Sequence, residues 1–274
     1  MPTIANNAAA NSALFYLNRN SDLQSSSLAK ISSGSRIVSA SDDAGGLGVS
    51  EQLRADISAL EVASRTTQQM EALLQVADGG LARVSDILQR MKALGTQFSS
   101  GTLDATSQGY INDEYAELVT EINLIETSTE YNGQNLLDGT YTGVISTAVV
   151  GANAADTINA DLAAVNIDQA TLTIPAAAFT TGGIAAELGT IDTAIGTVAG
   201  HRATVGGYIS AFKFQGEVVD TAVANLKNAN STIRDVDIAA EQAAFTSYQV
   251  MTEAAISGLS QANEMKSSLL TLLR

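Results

Sequence analysis

His201 is the only histidine in the chain, and there is no cysteine. One imidazole cannot supply a Ser-His-Asp arrangement with a spare base, nor a histidine-rich metal site, and without thiols there is no thiolate chemistry. His201 is expected to be a surface residue of a helix. Asp42 and Asp43 stand side by side and offer two carboxylates. Adjacent side chains rarely converge on one ion, however, and an Asp ahead of a helix is an ordinary cap. Gly45, Gly46 and Gly48 cluster like a phosphate loop, but no Gly-Lys-Ser/Thr follows and no strand precedes. Asp235, Asp237 and Glu241 lack the twelve-residue loop of a calcium site and read as solvated or capping groups. Met70, Met91, Met251 and Met265 fall at helical spacing and read as core filler. No catalytic, cofactor-binding or metal-binding residue is expected, and the chain is read as a non-enzyme.

The elements that hold these residues are long. Only two prolines occur, Pro2 and Pro175, so little interrupts helix formation. Residues 47–98 carry Leu53, Leu60, Thr67, Leu74, Leu81 and Leu88 every seven positions. Ala63, Met70, Ala77, Val84, Met91 and Phe98 interleave them. Alternating steps of three and four define a coiled-coil seam, and about fifty helical residues make a rod of roughly 75–80 Å. Ser99-Ser100-Gly101 ends that rod. A second heptad helix follows, with Ile111, Tyr115, Leu118, Ile122 and Ile125, and stops near the Asn132-Gly133 turn signal.

Residues 144–150, 156–162 and 170–175 lean toward strand and form a small mid-chain β-hairpin region. From Ile184 the heptads return, through Val205, Phe212, Val219, Leu226 and Ile233. The terminal helix carries Tyr248, Met251, Ala255, Leu259, Ala262, Met265, Leu269 and Leu272. Residues 3–33 predict a helix with one thin apolar face, including Ala10, Leu14, Leu17, Leu28 and Ile31. Heptad helices on either side of a reversing middle hide their seams by pairing antiparallel. The fold is therefore mainly α: a long antiparallel coiled-coil rod, a small β-hairpin, and the two terminal helices paired at one end.

Composition narrows the partners. The formal charge of −15 and pI near 4.3 repel phosphate backbones and anionic lipid, so neither nucleic acid nor a membrane surface is expected. No run approaches a transmembrane length. Ala13–Leu17 is the apolar part of the N-terminal stretch and no positive charge precedes it, so no ordinary secretory signal is expected. The Asn- and Ser-rich ends are thin in apolar residues. They are expected to be poorly ordered alone and to fold when neighbours cover them.

One polar break, KISSGSRIVSASDDAGG at residues 30–46, separates two helices. Its Ser32, Ser33, Gly34, Arg36, Ile37, Asp42, Asp43, Ala44 and Gly46 resemble the SSG-x-RI and DDAAG signature of bacterial flagellins. Gly45 stands where that family usually has alanine, and Ser41 where it often has lysine. Further motifs follow in the family's order. YNGQNLLDG (131–139) is similar to its FNG-x-x-LLDG turn, and VGANAADTINADL (150–162) to its VGAN hairpin. IRDVDIAAE (233–241) and SQANEMKSSLLTLLR (260–274) resemble its C-terminal runs, with Thr232 where arginine is common and without the proline before the final leucines.

The resemblance implies a short filament subunit, secreted through the flagellar type III apparatus into the extracellular flagellum. Residues 1–33 with 240–274 would form the inner terminal coiled-coil domain. Residues 34–46 would be a flexible connector, and 47–239 the helical rod with a hairpin near 144–175. Leu14, Leu17, Leu28, Ile31, Met251, Leu259, Met265, Leu269, Leu272 and Leu273 would carry polymerisation. The implied partners are further copies of the chain in an open helical homopolymer, hook-associated and cap proteins, and an export chaperone. Gln89, Arg90, Leu94 and Glu114 match a rod patch used in axial packing and read by the innate receptor Toll-like receptor 5. Ala93, Gly95 and Thr96 depart from that patch. A hook–filament junction protein shares the N-terminal signature and the helical ends. A soluble coiled-coil adhesin or signalling rod would share the heptads, but not thin apolar ends that elongate from seeds.

Overall fold

In a computed structural model, residues 7–141, 148–153, 155–175, 179–180 and 182–272 are described, with side chains as far as Ser268. The helices are α1 (Ala8–Ser33), α2 (Ala44–Phe98), α3 (Ala105–Ser128), α4 (Ile184–Arg234) and α5 (Ile238–Leu272). Among the described residues, four two-residue strands lie between α3 and α4: β1 (Glu130–Tyr131), β2 (Gln134–Asn135), β3 (Ala148–Val149) and β4 (Thr157–Ile158). The fold is mainly helical, with long N- and C-terminal helices and small mid-chain hairpins.

Local chemistry sets most boundaries. Asn7 caps α1 through Oδ1, which accepts from the Ala10 N–H at 3.2 Å. Gly34 ends the helix in the left-handed region at φ 67°, a position where a side chain is strained. Asp104 caps α3 by accepting from the Ser107 N–H at 3.1 Å. Hydrogen bonds from Ser107 hold its carboxyl below the ordinary range. Asn132 and Gly133, at φ 54° and 74°, are the two central residues of the β1–β2 turn. Two positive φ angles match the twist of a tight hairpin.

The chain forms two compact units, one of residues up to Ala55 with those from Asn225, the other Asp56–Ala224. The second unit holds most of the core. Leu74, Ala77, Leu81, Val84, Leu88 and Met91 of α2 are fully buried, against Ile191, Val198, Val205 and Phe212 of α4 and Ile122 of α3. Residue numbers rise along α2 as their partners' fall along α4. Ser64 pairs with Asp220, Asp78 with Arg202, and Lys92 with Asp192, so the two helices run antiparallel. At the end of α2, Phe98 and Tyr115 bracket Phe179, with ring centroids 5.7 and 4.4 Å away. The Tyr115 hydroxyl donates to the Pro175 carbonyl at 2.9 Å, and burial raises its proton affinity. A Cβ on Gly95 would come within 2.8 Å of Leu188 and 3.2 Å of the Phe179 ring, so α2 packs closely on its neighbours there.

Among the described residues, strand content is smaller than the sequence suggests. β3 and β4 pair antiparallel, Ala148 opposite Ile158 and Val149 opposite Thr157. The carboxamide of Gln215 ties this hairpin to α4 by donating to the Val150 carbonyl at 3.2 Å. Residues 144–147 lie outside the described residues. Residues 170–175, expected as strand, form turns instead. The Leu172 N–H donates to Asp168, Ile174 to Gln169, and Thr173 sits at φ 52°. The Asp168 carboxylate accepts from the Ala170 N–H at 3.0 Å, which winds the chain inward so that Leu172 and Ile174 are both buried.

His201 also departs from expectation. Among the described residues, its buried Nε2 has no hydrogen-bond partner. Burial lowers its proton affinity below the ordinary 6.5, against a smaller opposing effect of a hydrogen bond with the Asn166 backbone. A folded-state value below the unfolded one means that the unfolded chain takes up the proton first. Stability is then complete above about pH 6.5 and declines as pH falls below it. The thermal midpoint of the second unit is therefore expected to drop between about pH 7 and about pH 5, and His201→Leu to flatten that part of the profile. Parallel profiles for the two chains would refute the assignment.

Candidate functional site

α1 and α5 pair within the first unit, and their seam is thin. Ala10, Ala13, Leu17, Asn20, Gln24, Ser27 and Ile31 turn toward α5 in steps of three and four. Glu241, Ala244, Phe245, Tyr248, Thr252, Ala255, Leu259 and Ala262 are the more shielded of the described positions of α5. Among the described residues of these helices only Ser27 and Ala262 are fully buried. Two polar contacts fix an antiparallel register. The Ser27 hydroxyl donates to Glu241 Oε1 at 2.5 Å, and Asn7 Nδ2 donates to the Ala262 carbonyl at 3.0 Å.

The apolar residues that sequence places on one stripe divide into two. Leu17, Ile31 and Leu259 lie in the seam. Leu14, Leu28, Met251 and Met265 face outward, at 46%, 51%, 43% and 53% exposure. Phe15, Tyr16, Val250 and Ile256 join them on the surface, and the Phe15 and Tyr16 rings meet edge to face at 5.6 Å. Sequence reading missed these four because they fall off the seven-residue series. The signal was their apolarity among Asn, Ser and Gln. The side chains of Leu269, Leu272 and Leu273 lie outside the described residues.

Hydrogen bonds join the segment after α1 to the end of α4 and the residues that follow it. Ser35 and Asp235 form an isolated antiparallel bridge. The Arg36 N–H donates to the Arg234 carbonyl at 2.6 Å and the Val236 N–H to the Gly34 carbonyl at 3.2 Å. The Arg36 guanidinium reaches the Ile233 carbonyl at 2.8 Å, and the buried Ser35 hydroxyl donates to Ile37 and Arg234 carbonyls. Ser33 Oγ accepts from the Ser35 N–H at 3.3 Å, Ser32 is exposed, and Ile37 is buried. Serine here satisfies backbone groups, and proline would have removed the donors that make these bonds.

The two aspartates divide their work. Asp42 accepts from Ser39 and Val38 N–H at 2.9 and 3.1 Å, closing the connector turn. Those bonds, Ser39 first, hold its carboxyl below the ordinary range. Asp43 is the cap of α2, accepting from the Gly46 N–H at 2.8 Å. A Cβ on Gly46 would meet Ile37 Cδ1 at 3.0 Å as well as the Asp43 carboxylate. At the returning connector, Asp237 caps α5 through Ala239 and Ala240 N–H, and Asp235 accepts from the Ser231 hydroxyl. Each carboxylate thus has a structural partner. Among the described residues no group of three or more His, Cys, Asp or Glu is placed to hold a metal ion.

In the second unit, Arg90 and Glu114 form an ion pair at 2.6 Å between α2 and α3. Leu94 is 2% exposed and belongs to the core beneath them, while Gln89 stays on the surface near Ser85. A cavity of about 460 Å³ lies beside the β3–β4 hairpin, lined largely by apolar side chains such as Leu60, Val150, Ile158 and Val218. The Asp156 carboxylate on its wall is engaged with Asn153. These arrangements make surfaces and joints, and among the described residues no nucleophile, acid and base converge.

Comparison with known proteins agrees with this architecture. Residues 4–142 match the family described as bacterial flagellin N-terminal helical region, and 188–273 the bacterial flagellin C-terminal helical region. The flagellin of Halalkalibacterium halodurans is 36% identical over 249 residues, covering 89% of this chain and 90% of the relative. The flagellin of Bacillus subtilis is 35% identical over 309 residues, covering 99% of each. The flagellar filament 33 kDa core protein of Treponema phagedenis is 34% identical, covering 89% and 90%. The crystal structure of Bacillus cereus flagellin superposes with a TM-score of 0.51 at 29% identity, covering 56% of this chain and 88% of that one.

Proposed function

The chain belongs to the bacterial flagellin family and has a structural role in filament formation, and from that premise we propose how it polymerises. α1 and α5 of one copy dock against those of its neighbours through the outward stripe that includes Leu14, Phe15, Tyr16, Leu28, Met251 and Met265. Head-to-tail contacts of this kind generate an open helical polymer rather than a closed ring. The observation that carries the reading is the contrast between the two units. Among the described residues the α1·α5 seam buries almost nothing, whereas α2 and α4 share a continuous core. A helix pair with so little buried area is marginal on its own, and cover from neighbours completes its folding.

In this reading the connector joins an inner layer, residues 1–33 with 240–274, to the helical layer 47–239. Arg90 and Glu114 brace α2 against α3 at an axial packing surface. Hook-associated and cap proteins and an export chaperone are the partners the family implies. Recognition by Toll-like receptor 5 is disfavoured by Ala93, Gly95 and Thr96, which depart from the patch that the family implies. The place of action is the extracellular filament. No helix among the described residues is long and apolar enough to cross a membrane.

Seeded growth tests the proposal. Monomer added to short filament fragments of the same protein is expected to lengthen them, as seen by electron microscopy, with a lag when seeds are omitted. Leu14→Gln with Met251→Gln is expected to slow elongation at least about tenfold, the ratio given by roughly 1.4 kcal/mol of lost contact. Elongation at the parent rate would overturn the outward stripe as the polymerisation surface.

A further inference from the structure

The apolar seam between α2 and α4 does not by itself define how the two helices align. On α4, Ile191, Val198, Val205, Phe212 and Val219 recur every seven residues and all are buried. On α2, Leu60, Leu74, Leu81 and Leu88 follow the same repeat. Sliding one helix by seven residues, about 10 Å along its axis, would lay apolar on apolar again except at buried Thr67, the polar member of the α2 series. Heptad burial alone therefore discriminates weakly between alignments.

Polar pairs recur along this seam at twice the apolar period. Ser64, Asp78 and Lys92 are spaced two heptads apart on α2. The Ser64 hydroxyl donates to Asp220 Oδ1 at 2.8 Å. Arg202 Nε donates to Asp78 Oδ1 at 2.9 Å, and Lys92 Nζ lies 2.6 Å from Asp192 Oδ1. In the other unit, Ser50, two heptads before Ser64, likewise donates to Asn230 Oδ1 at 2.8 Å.

We infer that this polar ladder, with Asp78·Arg202 as its central rung, sets the alignment of α2 against α4. A slip of one heptad in either direction places Asp78 opposite Ile195 or Ile209, and Lys92 opposite Ala185 or Ala199. Asp78, whose side chain is 35% exposed, then loses its partner and faces an isoleucine, at a cost that solvent reduces but does not remove. Exposed ion pairs add little to stability, but alignment needs only a difference between registers, and polar seam residues supply it in coiled coils. The inference concerns the single chain and does not depend on how copies assemble.

The absence of cysteine makes disulfide trapping a clean test. A Cβ built on Gly216 lies 3.5 Å from Thr67 Oγ1, so Thr67→Cys with Gly216→Cys reports the native alignment. Thr67→Cys with Ile209→Cys or with Val223→Cys reports the two slipped ones. In the otherwise unaltered chain, only the native pair is expected to cross-link under mild oxidation. With Ser64→Ala, Asp78→Leu and Arg202→Leu, the slipped cross-links are expected to rise about tenfold or more, the ratio that roughly 1.4 kcal/mol of lost preference gives. Slipped cross-links at the parent level in that variant, with helicity retained, would overturn the inference. Should it fail to fold, Asp78→Arg alone is compared with Asp78→Arg plus Arg202→Asp. Slipped products in the first and their loss in the second support the ladder, and equal yields in both overturn it.

Discussion

A chain ending at Ala239 is expected to remain monomeric at concentrations where the full chain elongates seeds, while the helices of Asp56–Ala224 melt as before. The truncation removes α5 but leaves Asp235 and Val236, so the connector keeps its bridge to Ser35 and its bond to the Gly34 carbonyl. It takes away the Glu241 carboxylate that accepts from Ser27 and the Ala262 carbonyl that accepts from Asn7. It also removes the outward Met251 and Met265. α1, 26 residues long, is then left without its partner helix. From Ala8 to Leu17 none of its residues is fully buried even with α5 in place, and a lone helix of that kind is marginal in water.

Helicity per mole should therefore fall by more than α5 alone contributes, because α1 loses order with it. Circular dichroism compares the two chains directly, and electron microscopy scores growth. Filaments grown from the truncated chain would defeat the claim that the terminal helices drive assembly. An unchanged α1 signal, read by hydrogen exchange at Ala10–Ile31, would show that its order does not come from α5.

The second large effect belongs to the core of the other unit. Leu81→Ala is expected to destabilise it by about 2–5 kcal/mol, the range for removing a buried leucine and leaving a cavity. Leu81 is 0% exposed and lies in the shared core of α2 with α3 and α4. The neighbouring Gly80 limits relaxation, since even a Cβ there would come within 2.8 Å of Leu137, so the site has little room to collapse. Val76 on the same helix is 42% exposed, and Val76→Ala should change stability by no more than about 0.5 kcal/mol. Urea unfolding followed by far-ultraviolet circular dichroism distinguishes the two. Equal midpoints for the two variants would mean that the α2 seam is not the centre of this core.

Much of the fold was legible because its signals are local or strictly periodic. The seven-residue series on α2 and α4 named residues that are buried, among them Leu74, Leu81, Leu88, Val205 and Phe212. Asn132-Gly133 marked a turn that both residues make with positive φ. Five motifs in order pointed to the family, and the relatives agree over most of the chain. Caps were legible as a class, since Asp ahead of a helix has one common use.

What sequence alone determined, then, is where helices run, where they stop, and which heptad stripes are apolar enough to form a core. Tertiary structure decided the rest. Leu14 and Leu28 turn outward while Ser27 turns in and donates its hydroxyl to Glu241 across the seam. Asp42 serves the connector and Asp43 the helix, a division set by which N–H groups each can reach. Residues 170–175 wind into turns through short-range bonds to Asp168, Gln169 and Ala170, and the Nε2 of His201 is buried in the folded chain. A helix repeat fixes the angles between side chains on one element. Which of those angles faces a partner depends on groups the local sequence does not contain.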